Sequence, residues 1–269
     1  MSLAAAQAGT IAAHAIELIG ADKAFDTDSG PVRALAPTDF SVRRGEFAVL
    51  LGPSGCGKTT MLRLVAGLEH PSSGIVRVSG RDLWHDDARD TSAVADMGVV
   101  FQDANLFPWL TIEDNIALPL KLRGVAKAER RARAGELCAL VGIKGFEKRR
   151  PRELSGGMRQ RAAIARALSY NPDTLLMDEP FGALDAITRD MMNIELQRIW
   201  LETSKTILLV THSISEAVFL ADRVALLSLR PGRIQEIIEV GFTRPRDITV
   251  QSAAEFRDIV DHLRSRLEH

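Results

Sequence analysis

The chain has 269 residues, 46% of them hydrophobic, a formal net charge of -1 and two cysteines. That length and apolar content suit one large domain, or a domain with a subdomain, around a full core. The balanced charge excludes a bulk basic field of the kind that gathers nucleic acid, no apolar stretch approaches the roughly 18 residues of a membrane span, and no signal-peptide pattern opens the chain.

Residues 1–15 are Ala-rich and weakly patterned, and read as frayed. Residues 16–24 read as a strand, followed by Phe25 and a polar turn over 26–31. Two further strands, 35–42 and 46–51, flank the turn Arg43-Arg44-Gly45. Next comes Gly52-Pro53-Ser54-Gly55-Cys56-Gly57-Lys58-Thr59-Thr60, with an apolar run before it and a helical pattern after it. This is the phosphate-loop spacing G-x-x-x-x-G-K-[ST] in its required strand–loop–helix context. Glycines let the backbone approach a phosphate and turn its N–H groups inward, and the helix start adds its positive dipole end. Lys58 supplies a charge for the β- and γ-phosphates, and the Thr59 hydroxyl is placed for Mg²⁺. A disulfide at Cys56 would pin this loop, so Cys56 and Cys138 read as reduced thiols of a cytosolic protein.

Further along, 71–74 is a turn, 75–78 a strand and 81–96 a charged surface loop. Residues 97–101 form a buried strand with Gln102 and Asp103 at its carboxyl end. The composition then turns helical. Thr111 is the expected N-cap of a helix over 112–122, and a second helix covers 127–141. Residues 103–170 are therefore taken as a helical subdomain inserted into an α/β core of 16–102 and 171–240, with 241–269 a short tail. The basic run 144–152 reads as a solvated face. Ser155-Gly156-Gly157 opens a third helix; its exposed amides suit either an anion or an ordinary capped start.

Residues 174–178 are an apolar strand ending in Asp178-Glu179. Two acids at the end of a core strand imply solvent or a cation. With a phosphate loop upstream, Asp178 reads as the Mg²⁺-side carboxylate and Glu179 as a base for the attacking water. Asp185 precedes a long helix to Thr203. The strand 206–210 runs into Thr211-His212, which puts His212 at the sheet edge that carries Thr59 and Asp178, where ligands of open α/β sheets gather. A short helix over 215–221, strands at 223–227 and 234–240, and an amphipathic helix at 252–267 complete the chain.

Taken in order, the phosphate loop, Gln102, Leu154-Ser155-Gly156-Gly157, Asp178-Glu179, Asp185 and His212 resemble the ATP-binding subunit of ABC transporters over nearly the whole chain. The resemblance implies a P-loop NTPase core, a RecA-like sheet with an antiparallel β subdomain, plus the inserted helices. It implies ATP and Mg²⁺ as cofactors, with Gln102 joining Thr59 and Asp178 at the metal and Lys58, Glu179 and His212 catalysing hydrolysis. It also implies that Phe25 stacks on adenine, that Ser155, Gly156 and Gly157 complete the site of a second subunit, and that Asp185 lies at that dimer interface. Gly182 stands where the family commonly carries serine, which weakens one hydrogen-bond expectation.

A finer likeness is to the importers of nitrate, alkanesulfonates and taurine, with importers of pyrimidine precursors sharing much of the pattern. It rests on residues 106–111, on 216–223 and on Arg230-Pro231-Gly232-Arg233-Ile234. The implied partners are a second ATPase subunit, two transmembrane permease subunits and, indirectly, an extracytoplasmic binding protein, with no nucleic acid. The implied location is cytoplasmic, on the inner face of the cell membrane. Two other classes compete. A soluble ABC ATPase acting on DNA or ribosomes usually carries a coiled-coil insert or tandem cassettes, neither of which is here. A regulator that never hydrolyses is at odds with the Asp178, Glu179 and His212 set.

Overall fold

A computed structural model of the chain describes residues 14–86 and 88–267. Most of the opening read as frayed lies outside the described residues. Strands β1 (His14–Thr27) and β2 (Gly30–Arg43) form a long antiparallel hairpin. The expected turn over 26–31 shrinks to its tip, because pairing continues through Phe25↔Val32 to Thr27↔Gly30. The outer rungs of β2 are exposed and carry no buried alternation, so the sequence pattern starts that strand late.

Strand β3 (Phe47–Leu51) is buried throughout and feeds helix α1 (Lys58–Val65). Then come β4 (Ser73–Val78), β5 (Arg81–Asp82), β6 (Trp84–His85), β7 (Ala88–Arg89) and a short helix α2 (Thr91–Val94). The expectation of an irregular loop over 81–96 is thus corrected. Leu83 is fully buried, Arg77 Nε bonds Asp82 at 2.7 Å, and the Trp84 ring packs edge-on to His70 at 4.7 Å. These anchors order strands too short to carry a sequence period.

After β8 (Met97–Val100) the helices follow: α3 (Ile112–Leu122), α4 (Lys127–Leu140) and α5 (Gly156–Leu168). The Thr111 and Ser155 hydroxyls cap α3 and α5, accepting from Asp114 N at 3.1 Å and Met158 N at 3.3 Å. The basic run is exposed as expected; within it Lys148 pairs with buried Glu113, and Arg149 with Glu153 at 3.1 Å. The remaining elements are β9 (Thr174–Asp178), α6 (Ala186–Thr203), β10 (Thr206–Thr211), α7 (Ile214–Leu220), β11 (Arg223–Leu227), β12 (Ile234–Glu239) and α8 (Ala254–Leu267).

The main sheet has six strands in the order β12-β11-β3-β10-β9-β8. All its neighbours pair in parallel except the antiparallel edge strand β12. A four-stranded antiparallel sheet, β2-β1-β4-β5, stands beside it. Central parallel strands are covered on both faces, and alternate residues go to different cores. On β3, Phe47, Val49 and Leu51 join one buried cluster, while Ala48 and Leu50 join the other with α1 and the antiparallel sheet. The first cluster runs without a break from Val100 and Met177 into Ile116 of α3, Leu137 of α4 and Ile164 of α5.

Candidate nucleotide site

Because β3, β8, β9 and β10 run parallel, their carboxyl ends meet along one edge of the sheet. That edge borders a cavity of about 700 Å³ lined by Phe25, Thr27, Val32, Ala34, Ser54, Gly55, Gly57, Lys58, Thr59, Thr60, Gln102, Asp178, Glu179 and Arg230. Most of the expected site residues are therefore brought together. Gly52, Pro53 and Cys56 belong to the same loop but do not line the cavity wall. His212 joins it through Glu179, with Nδ1 3.0 Å from Glu179 Oε2.

The N-cap of helix α1 is Gly57, a residue in the left-handed conformation with φ 100° and no side chain to cap the helix. The amides of its first turn are left to face an anion. Lys58 is buried, and its ammonium donates to the Gly52 carbonyl at 2.7 Å and the Pro53 carbonyl at 2.9 Å. The Thr59 hydroxyl donates to Asp178 Oδ1 at 3.0 Å. Burial raises the Asp178 carboxyl above the usual carboxylate range; the Thr59 bond opposes this and neighbouring Glu179 adds to it. Glu179 has φ 45°, a left-handed conformation unusual for a side chain of this size. Its N–H donates to Val210 O at 2.9 Å, which ties it across to β10. The ordinary strand course would turn its carboxylate away, and the left-handed residue redirects it.

Gln102 stands close to Glu179. A Cβ added at Gly182 would lie 3.2 Å from Gln102 Nε2 and 3.5 Å from Glu179 Oε2. The space that a serine would use at Gly182 is thus shared by two polar side chains. Gln160 of α5 donates to Phe101 O at 3.0 Å, which couples the third helix to the end of β8.

Ser155, Gly156 and Gly157 do not line this cavity. Ser155 and Gly156 are exposed, and Gly157 packs toward Thr188 at the start of α6. Asp185 has a local task the sequence reading did not assign. It caps α6, accepting from Thr188 N at 3.0 Å and Thr188 Oγ1 at 2.7 Å, and these bonds hold its carboxyl low. Both cysteines are free and buried. Burial pushes the Cys56 thiol up and the Cys138 thiol to about 12, so neither is a ready nucleophile.

Sequence reasoning missed Thr27, Val32, Ala34 and Arg230 as cavity residues. Thr27 lies two residues beyond Phe25 on β1, Val32 and Ala34 lie on β2, where Val32 pairs with Phe25, and Arg230 arrives from the turn after β11. Only Arg230 had a signal, the Arg-Pro-Gly-Arg string. Buried Glu216 was also missed. Thr211 Oγ1 donates to its Oε2, and burial raises its pKa. Among the described residues no helix is long and apolar enough to cross a membrane.

Comparison with known proteins agrees with this geometry. The ABC transporter family profile matches residues 35–182. The aliphatic sulfonates import ATP-binding protein SsuB of Bacillus licheniformis is 45% identical over 85% of this chain and 86% of its own length. The taurine import ATP-binding protein TauB of Burkholderia thailandensis is 46% identical over 87% of this chain and 85% of its own. A solved dimeric structure of the ATP-binding cassette MJ0796, bound to ADP and Pi, superposes with a TM-score of 0.74 at 33% identity, covering 85% of this chain and all of that one. With its phosphate loop, strand-end acids and histidine meeting at one sheet edge, the chain belongs to the ABC transporter family and is an ATPase cassette of it.

Proposed function

We propose that this chain is the ATPase subunit of an importer for a small sulfonate, taurine or nitrate. It would work on the cytoplasmic face of the membrane as one of two ATPase subunits beside two permease subunits. The observation that carries the catalytic part is the pair of contacts Thr59–Asp178 and Glu179–His212 at the floor of one cavity. The cargo class rests on the SsuB and TauB relatives.

The donor set fits Mg²⁺. A hydroxyl and a carboxylate 3.0 Å apart, with the Gln102 amide in the same cavity, are hard oxygen donors. Mg²⁺ sites of this kind use one or two protein carboxylates and take their other ligands from phosphates and water. Thr59, Asp178 and Gln102 would hold the ion, which would neutralise charge on the β- and γ-phosphates. The loop amides and Lys58 hold the phosphates themselves, and Phe25 offers a ring face to adenine.

Hydrolysis needs a water in line with the bond between the γ-phosphorus and the bridging oxygen. Glu179 orients that water and accepts its proton as the new P–O bond forms and the bridging bond breaks. The Glu179–His212 contact calls for a proton on His212 Nδ1, and a second N–H at Nε2 would donate to a γ-phosphate oxygen. Positioning and charge stabilisation are the main catalytic terms in phosphoryl transfer.

Ser155, Gly156 and Gly157, outside the cavity of their own chain, would close the site of the second subunit, with Asp185 at the same interface. Trp109 is 67% exposed and packs tilted against Phe107, itself 38% exposed, with ring centres 5.4 Å apart. An exposed aromatic pair in the segment that follows Gln102 suits the permease contact. Deletion of the gene, followed by growth with taurine, an alkanesulfonate or nitrate as the sole sulfur or nitrogen source, tests the cargo. Normal growth on all of them would reject these solutes.

A further inference from the structure

The Arg-Pro-Gly-Arg turn between β11 and β12 lies directly behind the phosphate loop. Arg230 Nε donates to the Gly55 carbonyl at 3.0 Å, and its Nη2 would be 3.5 Å from a Cβ on Gly55. Gly232 sits so close to the Cys56 carbonyl that a Cβ there would come within 2.1 Å of the oxygen. The turn is itself fixed to β2. Gly232 N donates to Ala34 O at 3.0 Å and Ala36 N donates to Gly232 O at 2.9 Å. On the loop side, Gly57 meets the same Ala34 oxygen, which a Cβ would approach to 2.7 Å.

These contacts orient two peptide planes. In a trans peptide the C=O and the N–H point in opposite directions. A Gly55 carbonyl held by Arg230 aims the Cys56 N–H to the other side, where it donates to the Pro53 carbonyl at 3.3 Å and closes the turn of the loop. A Cys56 carbonyl facing Gly232 aims the Gly57 N–H to the opposite side. Loop amides pointing together into a concavity make an anion-binding nest. Its weakness is that glycine peptides flip easily, because they lack a Cβ. The guanidinium also reaches the cavity wall, and among the described residues Arg230 forms no ion pair.

We propose that the turn Leu229-Arg230-Pro231-Gly232 is an outer layer of the ATP site. It holds the Gly55 peptide in the turn of the loop and the Cys56 peptide in its phosphate-binding orientation, and Arg230, a positioning residue for the nucleotide, adds its charge to the same cavity. The inference rests on ATP being the ligand of this loop.

The test is Mg-ATP affinity and steady-state turnover of the full chain for Arg230→Ala, Arg230→Gln and Arg230→Lys. Loss of a charged hydrogen bond should raise the Kd and KM for ATP about tenfold in Arg230→Ala, with kcat falling less than about threefold. Arg230→Lys, which keeps charge and a donor, should recover most of the affinity, and Arg230→Gln should fall between. The nucleotide-free unfolding midpoint should move by less than about 2 °C while the stabilisation by ATP shrinks. Gly232→Ala, whose Cβ must push the turn and the Cys56 carbonyl apart, should weaken ATP binding; if it does not fold, the Arg230 series decides. Wild type and Lys58→Ala run alongside. If the first binds ATP and the second does not, the site reading stands on its own. Wild-type ATP affinity in Arg230→Ala, or loss of kcat with KM unchanged, would then overturn the brace.

Discussion

Glu179 and Glu216 illustrate how differently two carboxyls around His212 can be used. Glu179 is set by its positive φ and by His212 at 3.0 Å. Replacing it with Gln keeps shape and removes the proton acceptor, so ATP turnover should fall by about 10²–10⁴ while ATP still binds. Asp178→Asn should instead weaken Mg-ATP affinity. Near-normal turnover by Glu179→Gln would move the base assignment to His212. Glu216 is sealed in, and its Oε1 has no hydrogen-bond partner among the described residues. Burial raises its folded pKa; the Thr211 bond and the charges of Arg189 and His212 oppose this, and Glu179 reinforces it. A raised acid pKa means that the folded state keeps a proton the unfolded chain has released. Stability therefore falls as pH rises from the unfolded value through the folded one. Glu216→Gln removes that loss. Its unfolding midpoint relative to wild type should be flat below the unfolded glutamate pKa and increasingly higher as pH rises above it. A pH-independent difference would reject the account.

Among the elements, the C-terminal segment was the least legible. The amphipathic helix was readable from its period, but not what fastens it. Arg246 is buried and donates to Phe219 O and Ala221 O at 2.8 Å, to Val218 O at 3.1 Å and to Val240 O at 3.2 Å. Its backbone N–H meets Gln197 Oε1 at 2.8 Å, which ties it to α6. Burial lowers its pKa to about 10, still charged at neutral pH. One guanidinium thus satisfies the carbonyl end of α7 and fixes the entry to α8. Arg246→Met should cost about 3 kcal/mol in denaturant unfolding, since several buried carbonyls lose their donor. Early protease cleavage near residue 246 would accompany it, and an unchanged unfolding curve would exclude the role. By contrast, the α3 and α5 starts were legible because a cap is a contact within three residues. The strands β5, β6 and β7 were not, because their order comes from Leu83 and Trp84 packing on distant groups.

At the scale of the molecule, one cavity holds the phosphate loop, and the second exposed helix start, at Ser155, faces elsewhere. In the proposed head-to-tail pairing, the Ser155 helix start of one copy would complete the phosphate-loop site of the other. Glu179→Gln should therefore run as a dimer with ATP and as a monomer without it, by light scattering; Ser155→Arg in that background should abolish the dimer. A tight dimer without nucleotide would count against this reading. The residue types of the loop, the strand-end acids and the capped helices are local facts, set by backbone demands over a few positions, and the sequence alone determined them. That Arg230, Ala34 and Val32 share a cavity with Lys58 was decided only in three dimensions. It depends on β3 lying between β11 and β10 and on the β1–β2 hairpin reaching the loop, pairings between segments far apart in the chain that no local period encodes.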